Sequence, residues 1–146
     1  MINKTITYEP NISELIDMLS ILQIKEIKFK KQKKIIQKQI LNIRKDLNSH
    51  LENQKICLDS KMIRKIFIVG IVNLLVWELK DKMISEPKKY NKHLKKALEL
   101  NTIRNTVFNI MMKNFGEFDV TRTRKVTLGK LMRNWHKMII NKTKNL

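Results

Sequence analysis

The side chains best able to do chemistry in this chain are cations, and they fall into two clusters of different character. The first comprises Lys25, Lys28, Lys30, Lys31, Lys33, Lys34 and Lys38, and centres on the stretch IKFKKQKK, which puts five lysines into eight residues. An ammonium is a compact point charge, suited to phosphate oxygens and poor at the bidentate reading of base edges. Spaced around a helix, these lysines would meet backbone charge without reading sequence. The competing reading is a solvated helix face and nothing more.

The second cluster is TRTRKVTLGK, residues 121–130, with Arg122, Arg124, Lys125 and Lys130 set among threonine hydroxyls. Arginine forks, hydroxyls and the free amides of a helix start are all phosphate ligands, and here they occur together. A structural reading stands beside it, in which Arg122 or Arg124 pairs with Asp119. DNA or RNA backbone is the partner that both clusters suit.

Other chemistry finds little support. His50, His93, His136 and Cys57 lie far apart, with no second ligand at the spacing a metal site needs. The sequence shows no partner base of the kind that would make Cys57 a nucleophile. Glu14 with Asp17, and Glu78 with Asp81, are spaced as ordinary helix-surface pairs. No glycine-rich loop leads into Lys-Ser or Lys-Thr, so no nucleotide phosphate cradle is written here. The expectation is a non-enzyme without metal or cofactor.

Composition points the same way. Across 146 residues, 31 Lys+Arg against 13 Asp+Glu leave a formal charge of +18, a self-repulsion that a polyanionic partner would offset. Abundant Ile, Lys and Asn suggest AT-rich codons, and such drift inflates lysine; it accounts less well for the scarcity of acids. Small size, lysine-rich helices and this bias would suit an accessory protein of a phage, a mobile element or a ribosome-like particle, an analogy that identifies no function. A lone cysteine suits a reducing compartment, and MINKTITYEP lacks the basic-then-apolar order of a secretory signal. The expected location is cytoplasmic.

The elements that must position these cations are helices. Only Gly70, Gly116, Gly129, Pro10 and Pro87 punctuate the chain, too few turns for an all-β fold. The length suits one domain, with a basic helical part over 11–57, a hydrophobic helical core over 60–116, and a basic arm and helix over 117–146.

Asn11 or Ser13 can cap the first helix, with Glu14 in its first turn. Two rows then keep a seven-residue spacing: Ile12, Leu19, Glu26, Lys33, Ile40, Leu47 and Gln54; and Leu15, Leu22, Phe29, Ile36, Ile43, His50 and Cys57. Two arrangements fit. In one, a single helix about 70 Å long at ~1.5 Å per residue pairs with another copy as a coiled coil, giving a homo-oligomer through 12–57. In the other, the helix breaks near residues 30–34 and folds back as a hairpin within one bundle.

Residues 66–79, IFIVGIVNLLVWEL, carry apolar side chains around the whole circumference and predict a buried central helix started by Asp59-Ser60. A bilayer span needs about 20 apolar residues, and Asn73 with the flanking charges makes a membrane segment the weaker reading. Pro87 ends this helix. A further one follows to Phe115, with Leu94, Ala97, Leu98, Phe108 and Met112 on its apolar face and Gly116 as a left-handed stop. Residues 117–126 alternate as an extended arm would, and Thr127 can cap a short helix carrying Leu128, Leu131, Met132, Trp135 and Ile139. Trp77 and Trp135 read as core residues.

Overall fold

A computed structural model describes residues 9–117. The protein is an all-α bundle, with helices α1 (Ile12–Lys28), α2 (Lys33–Asn53), α3 (Ser60–Ser85) and α4 (Tyr90–Asn114), and short 3-10 turns at Lys30–Gln32 and Pro87–Lys89. Residues 118–146, including most of the expected arm and the helix beyond it, lie outside the described residues.

Local chemistry sets the helix ends. Asn11 and Glu14 form a reciprocal capping box: Asn11 Oδ1 accepts from Glu14 N at 2.9 Å, and Glu14 Oε2 accepts from Asn11 N at 3.1 Å. Asp59 Oδ1 accepts from Met62 N at 2.7 Å to start α3. At the far end of α4, Gly116 takes φ +67°, which brings Glu117 N onto Met112 O at 2.9 Å and satisfies a terminal carbonyl. The same device closes α2, where Ile56 N donates to Leu51 O at 2.9 Å, but the left-handed position is held by Lys55 at φ 53°.

Of the two arrangements the heptad rows allow, the hairpin is the one found. The chain leaves α1 at Phe29, whose φ of −106° and ψ of 68° are not helical. Leu15, Leu22, Ile36 and Ile43 form one buried cluster, with Leu19, Ile40 and Leu47 packed on it. These residues sit symmetrically about Phe29, so the seam closes within the molecule, and the polar seam residue Glu26 accepts from Gln37 Nε2 at 2.8 Å across it. No glycine or proline marks the break. Tertiary contacts hold it: the Phe29 ring meets Trp77 edge-on at 5.9 Å and 75°, and Lys28 is anchored on α3.

The second hairpin, α3 with α4, pairs antiparallel and supplies most of the main core: Val69, Val72 and Val76 against Leu100, Ile103, Val107 and Met111, joined by Ile12 and Ile16 of α1. Helix α1 runs parallel to α3, since Asp17 meets Asn73 and Lys28 meets Asp81 further along both. The backbone of α2 lies beside α1 alone, with Leu47 and Leu51 reaching the edge of the main core.

The expectation that the central helix is apolar and buried all round holds on one side only. Val69, Val72 and Val76 are buried, whereas Phe67 is 67 % exposed, Ile71 48 % and Leu74 44 %. Its sequence is apolar on every face, and the bundle covers only part of it. No helix among the described residues is long and apolar enough to cross a membrane.

Candidate functional site

The parallel course of α1 and α3 places the turn of the first hairpin beside that of the second. Lys28, the last residue of α1, bonds Asp81 and lies 3.2 Å from Glu78, and Asp81 is within about two helical turns, ~7.5 Å of rise, of the α3–α4 turn at Glu86. Both tips therefore share one end of the bundle. The first contributes Lys30, Lys31, Lys33, Lys34 and Lys38, all exposed, with Lys25 partly covered. The second contributes Lys80, Lys82, Lys88, Lys89 and Lys92, also exposed.

The carboxylates at this end are engaged internally. Glu78 and Asp81 hold Lys28; Glu26 takes the Gln37 amide; Glu86 Oε2 accepts from Lys89 at 2.9 Å and faces His93 Nε2 at 3.4 Å. Two of these contacts perturb protonation. The Asp81 carboxylate, seconded by Glu78, holds the Lys28 ammonium above its ordinary pKa, and the Lys89 ammonium, with His93, holds the Glu86 carboxyl below the usual carboxylate range. Among the described residues, the remaining tip lysines have no carboxylate partner within ion-pair distance. They form a field of one sign around two adjacent turns.

The sequence-derived sites thus divide. Lys30, Lys31, Lys33, Lys34 and Lys38 come together as exposed cations at the first tip. Lys28 is drawn off into a clamp between α1 and α3. Arg122, Arg124, Lys125 and Lys130 lie outside the described residues. The lysines of the second tip were not singled out from sequence, although the run LKDKMISEPKKYNKHLKK carries them openly; what links them to IKFKKQKK is the helix pairing, which no local pattern records.

A second polar assembly, also unread from sequence, fixes that pairing. Asn73, 4 % exposed in the middle of the apolar run, donates to Asp17 Oδ1 at 2.8 Å and to Ser20 Oγ at 2.6 Å, and accepts from Arg104 at 3.1 Å. Arg104 also lies 3.8 Å from the Asp17 carboxylate. One amide thereby ties α1, α3 and α4 together, and buried polar groups satisfied only in one register specify that register. Two turns earlier on α3, Lys65 is 6 % exposed, and burial pushes its pKa down. The Asn114 side chain, turned so that its oxygen faces Lys65 Nζ, accepts from it at 3.2 Å.

Of the histidines, His136 lies outside the described residues. His50 lies 3.4 Å from Glu9, His93 sits by Glu86, and Cys57 is exposed; no group of His, Cys, Asp and Glu among the described residues could hold a metal ion. No protein-family model, curated protein or solved structure matches the chain.

Proposed function

We propose that this protein is a non-enzymatic nucleic-acid-binding protein of the cytoplasm, contacting backbone phosphates with little regard for sequence, as an architectural, packaging or ribonucleoprotein or virion component. The observation that carries this reading is the layout of charge at the hairpin tips. Lysines from two segments distant in sequence share one end, and among the described residues every carboxylate there is already bonded within the protein.

Lysine ammoniums on two adjacent turns can each approach a phosphate, and neutralising a phosphate releases condensed counterions. The predominance of lysine over arginine favours attraction without base readout. Arg122 and Arg124 would add forked phosphate contacts.

The test is a fluorescence titration of the full chain with a labelled duplex and a labelled single strand at several salt concentrations. Binding should weaken steeply with salt and vary little between unrelated sequences of equal length. No binding at low salt removes the reading.

A second reading, a subunit of a protein assembly, draws support from the apolar face that α3 leaves exposed. It predicts a concentration-dependent oligomer in light scattering, with the basic charge serving solubility or docking on an acidic partner.

A further inference from the structure

The most exposed apolar side chains of this fold are not scattered. Ile84, 81 % exposed, and Ile27, 78 % exposed, lead the large hydrophobic residues among those described, and each is the last but one residue of a helix that runs into a hairpin turn. Ile35, the third residue of α2, Tyr90, the first of α4, and Phe29, in the first turn itself, are exposed as well. Single surface hydrophobics need no explanation. Five within about one helical turn of two adjacent lysine-bearing tips form a pattern, and attraction to phosphate accounts for none of them.

We propose that this end of the bundle takes unpaired, single-stranded nucleic acid in preference to duplex, with bases packed on Phe29 and Tyr90. The inference rests on the phosphate-binding reading of the tips and adds the state of the strand. In a duplex the bases cover one another's faces, and a protein meets only their edges in the grooves and the sugar-phosphate outside. Aromatic rings gain little there. An unpaired strand offers the face of every base, and rings set along a cationic track are what binds it.

Each tip carries one ring in such a track. Phe29 precedes Lys30 and Lys31, and Tyr90 stands between Lys88 and Lys92. All four lysines are exposed, and among the described residues none of them is held by a carboxylate. The Phe29 ring is also fixed before any ligand arrives: it meets Trp77 edge-on at 5.9 Å, which lowers the ordering that binding must supply. Ile27, Ile35 and Ile84 add apolar surface at the same tips.

An anionic bilayer would attract the same lysines. A protein lying on one engages the side of an amphipathic helix, whereas the bare side of α3, at Phe67 and Ile71, stands ~20 Å or more of rise from the tip at Ser85. Contact through the tips leaves that side out, and a bilayer makes no use of a fixed ring.

The test measures binding of the full chain, by fluorescence anisotropy, to a labelled oligonucleotide that does not self-pair and to the same oligonucleotide annealed to its complement. The unpaired form should bind more tightly. Tyr90→Ala should weaken single-strand binding about fivefold or more, with the loss confined to the single strand and the slope of log K against log salt unchanged, because no lysine is removed. Tyr90→Phe, which keeps the ring, should retain the affinity. Ile27→Ser, at an exposed site on the first tip, should give a smaller loss of the same kind, which keeps the test decisive if circular dichroism shows Tyr90→Ala to misfold. Equal affinity for the two forms overturns the proposal while leaving the lysine tips as a phosphate-binding surface, and so does a loss that falls equally on both forms. Absence of binding to either form removes the phosphate-binding reading and this inference with it. Sedimentation with phosphatidylserine vesicles that Tyr90→Ala and Ile27→Ser abolish, with single-strand binding untouched, would make a lipid surface the partner and overturn the proposal too.

Discussion

Replacing Asn73 with Leu tests whether the polar junction of α1, α3 and α4 fixes the bundle. Leucine has the same branching and number of heavy atoms, so the side chain keeps its shape and the main loss is polar. It removes the donor to Asp17 Oδ1 at 2.8 Å, the donor to Ser20 Oγ at 2.6 Å and the acceptor for Arg104 at 3.1 Å. Two of these bonds involve charged groups, each worth about 1.5–3 kcal/mol. The Asp17 carboxylate, 5 % exposed, keeps Arg104 at 3.8 Å but loses the Asn73 amide donor at 2.8 Å. Removing one member of a buried charged set costs more than removing the whole set, while burial of the leucine side chain returns part of the loss. The net expectation is a destabilisation of ~3 kcal/mol, or roughly 10 °C in Tm for a chain of this size. Urea unfolding followed by circular dichroism measures it, with Gln39→Ala, an exposed α2 site, expected within about 0.5 kcal/mol of the unaltered chain. A loss below about 1 kcal/mol for Asn73→Leu would mean the junction is incidental to stability, and the argument for register would fail with it.

Two further outcomes can be read by the same unfolding assay. Lys65 has a folded-state pKa pushed below its ordinary 10.5 by burial, so the unfolded chain binds the extra proton and stability rises with pH through the window between the two values; Lys65→Met should abolish that rise relative to the unaltered chain and stabilise the protein at pH 7 by ~1 kcal/mol, and a parallel pH dependence in both chains would refute it. Lys55 holds a left-handed conformation at φ 53° at the end of α2, where glycine carries no steric cost, so Lys55→Gly should stabilise by up to about 1 kcal/mol, and a destabilised variant would show that the lysine side chain contributes something beyond its conformation.

How far the sequence foretold this depends on the residue. The capping box at Asn11, the cap at Asp59 and the left-handed stop at Gly116 are local chemistry, and each stands where its residue type requires. The heptad row through Leu15, Leu22, Phe29, Ile36 and Ile43 was equally legible, but it reads the same in a long helix and in a hairpin folded at its midpoint. What decides between them is Phe29 against Trp77 and Lys28 against Asp81, contacts nearly fifty residues apart or more. Asn73 stood out in its apolar run without naming Asp17 and Arg104 as partners. An apolar run with no polar side cannot say which face meets solvent, so the exposure of Phe67 and Ile71 was not visible. The tip lysines were visible as charge, while the meeting of the two tips was not.

The central claim, that two separate lysine sets form one phosphate-binding end, is tested most directly by the salt dependence of duplex binding for three full-length chains. These are the unaltered protein, a variant with Lys30, Lys31, Lys33 and Lys34 changed to Gln, and one with Lys82, Lys88 and Lys92 changed to Gln. Each set should weaken binding and flatten the slope of log K against log salt by ~0.9 for every phosphate left without its lysine. A first set that flattens the slope while the second leaves it untouched would contradict a shared surface, and slopes unchanged in both would place any binding elsewhere on the molecule.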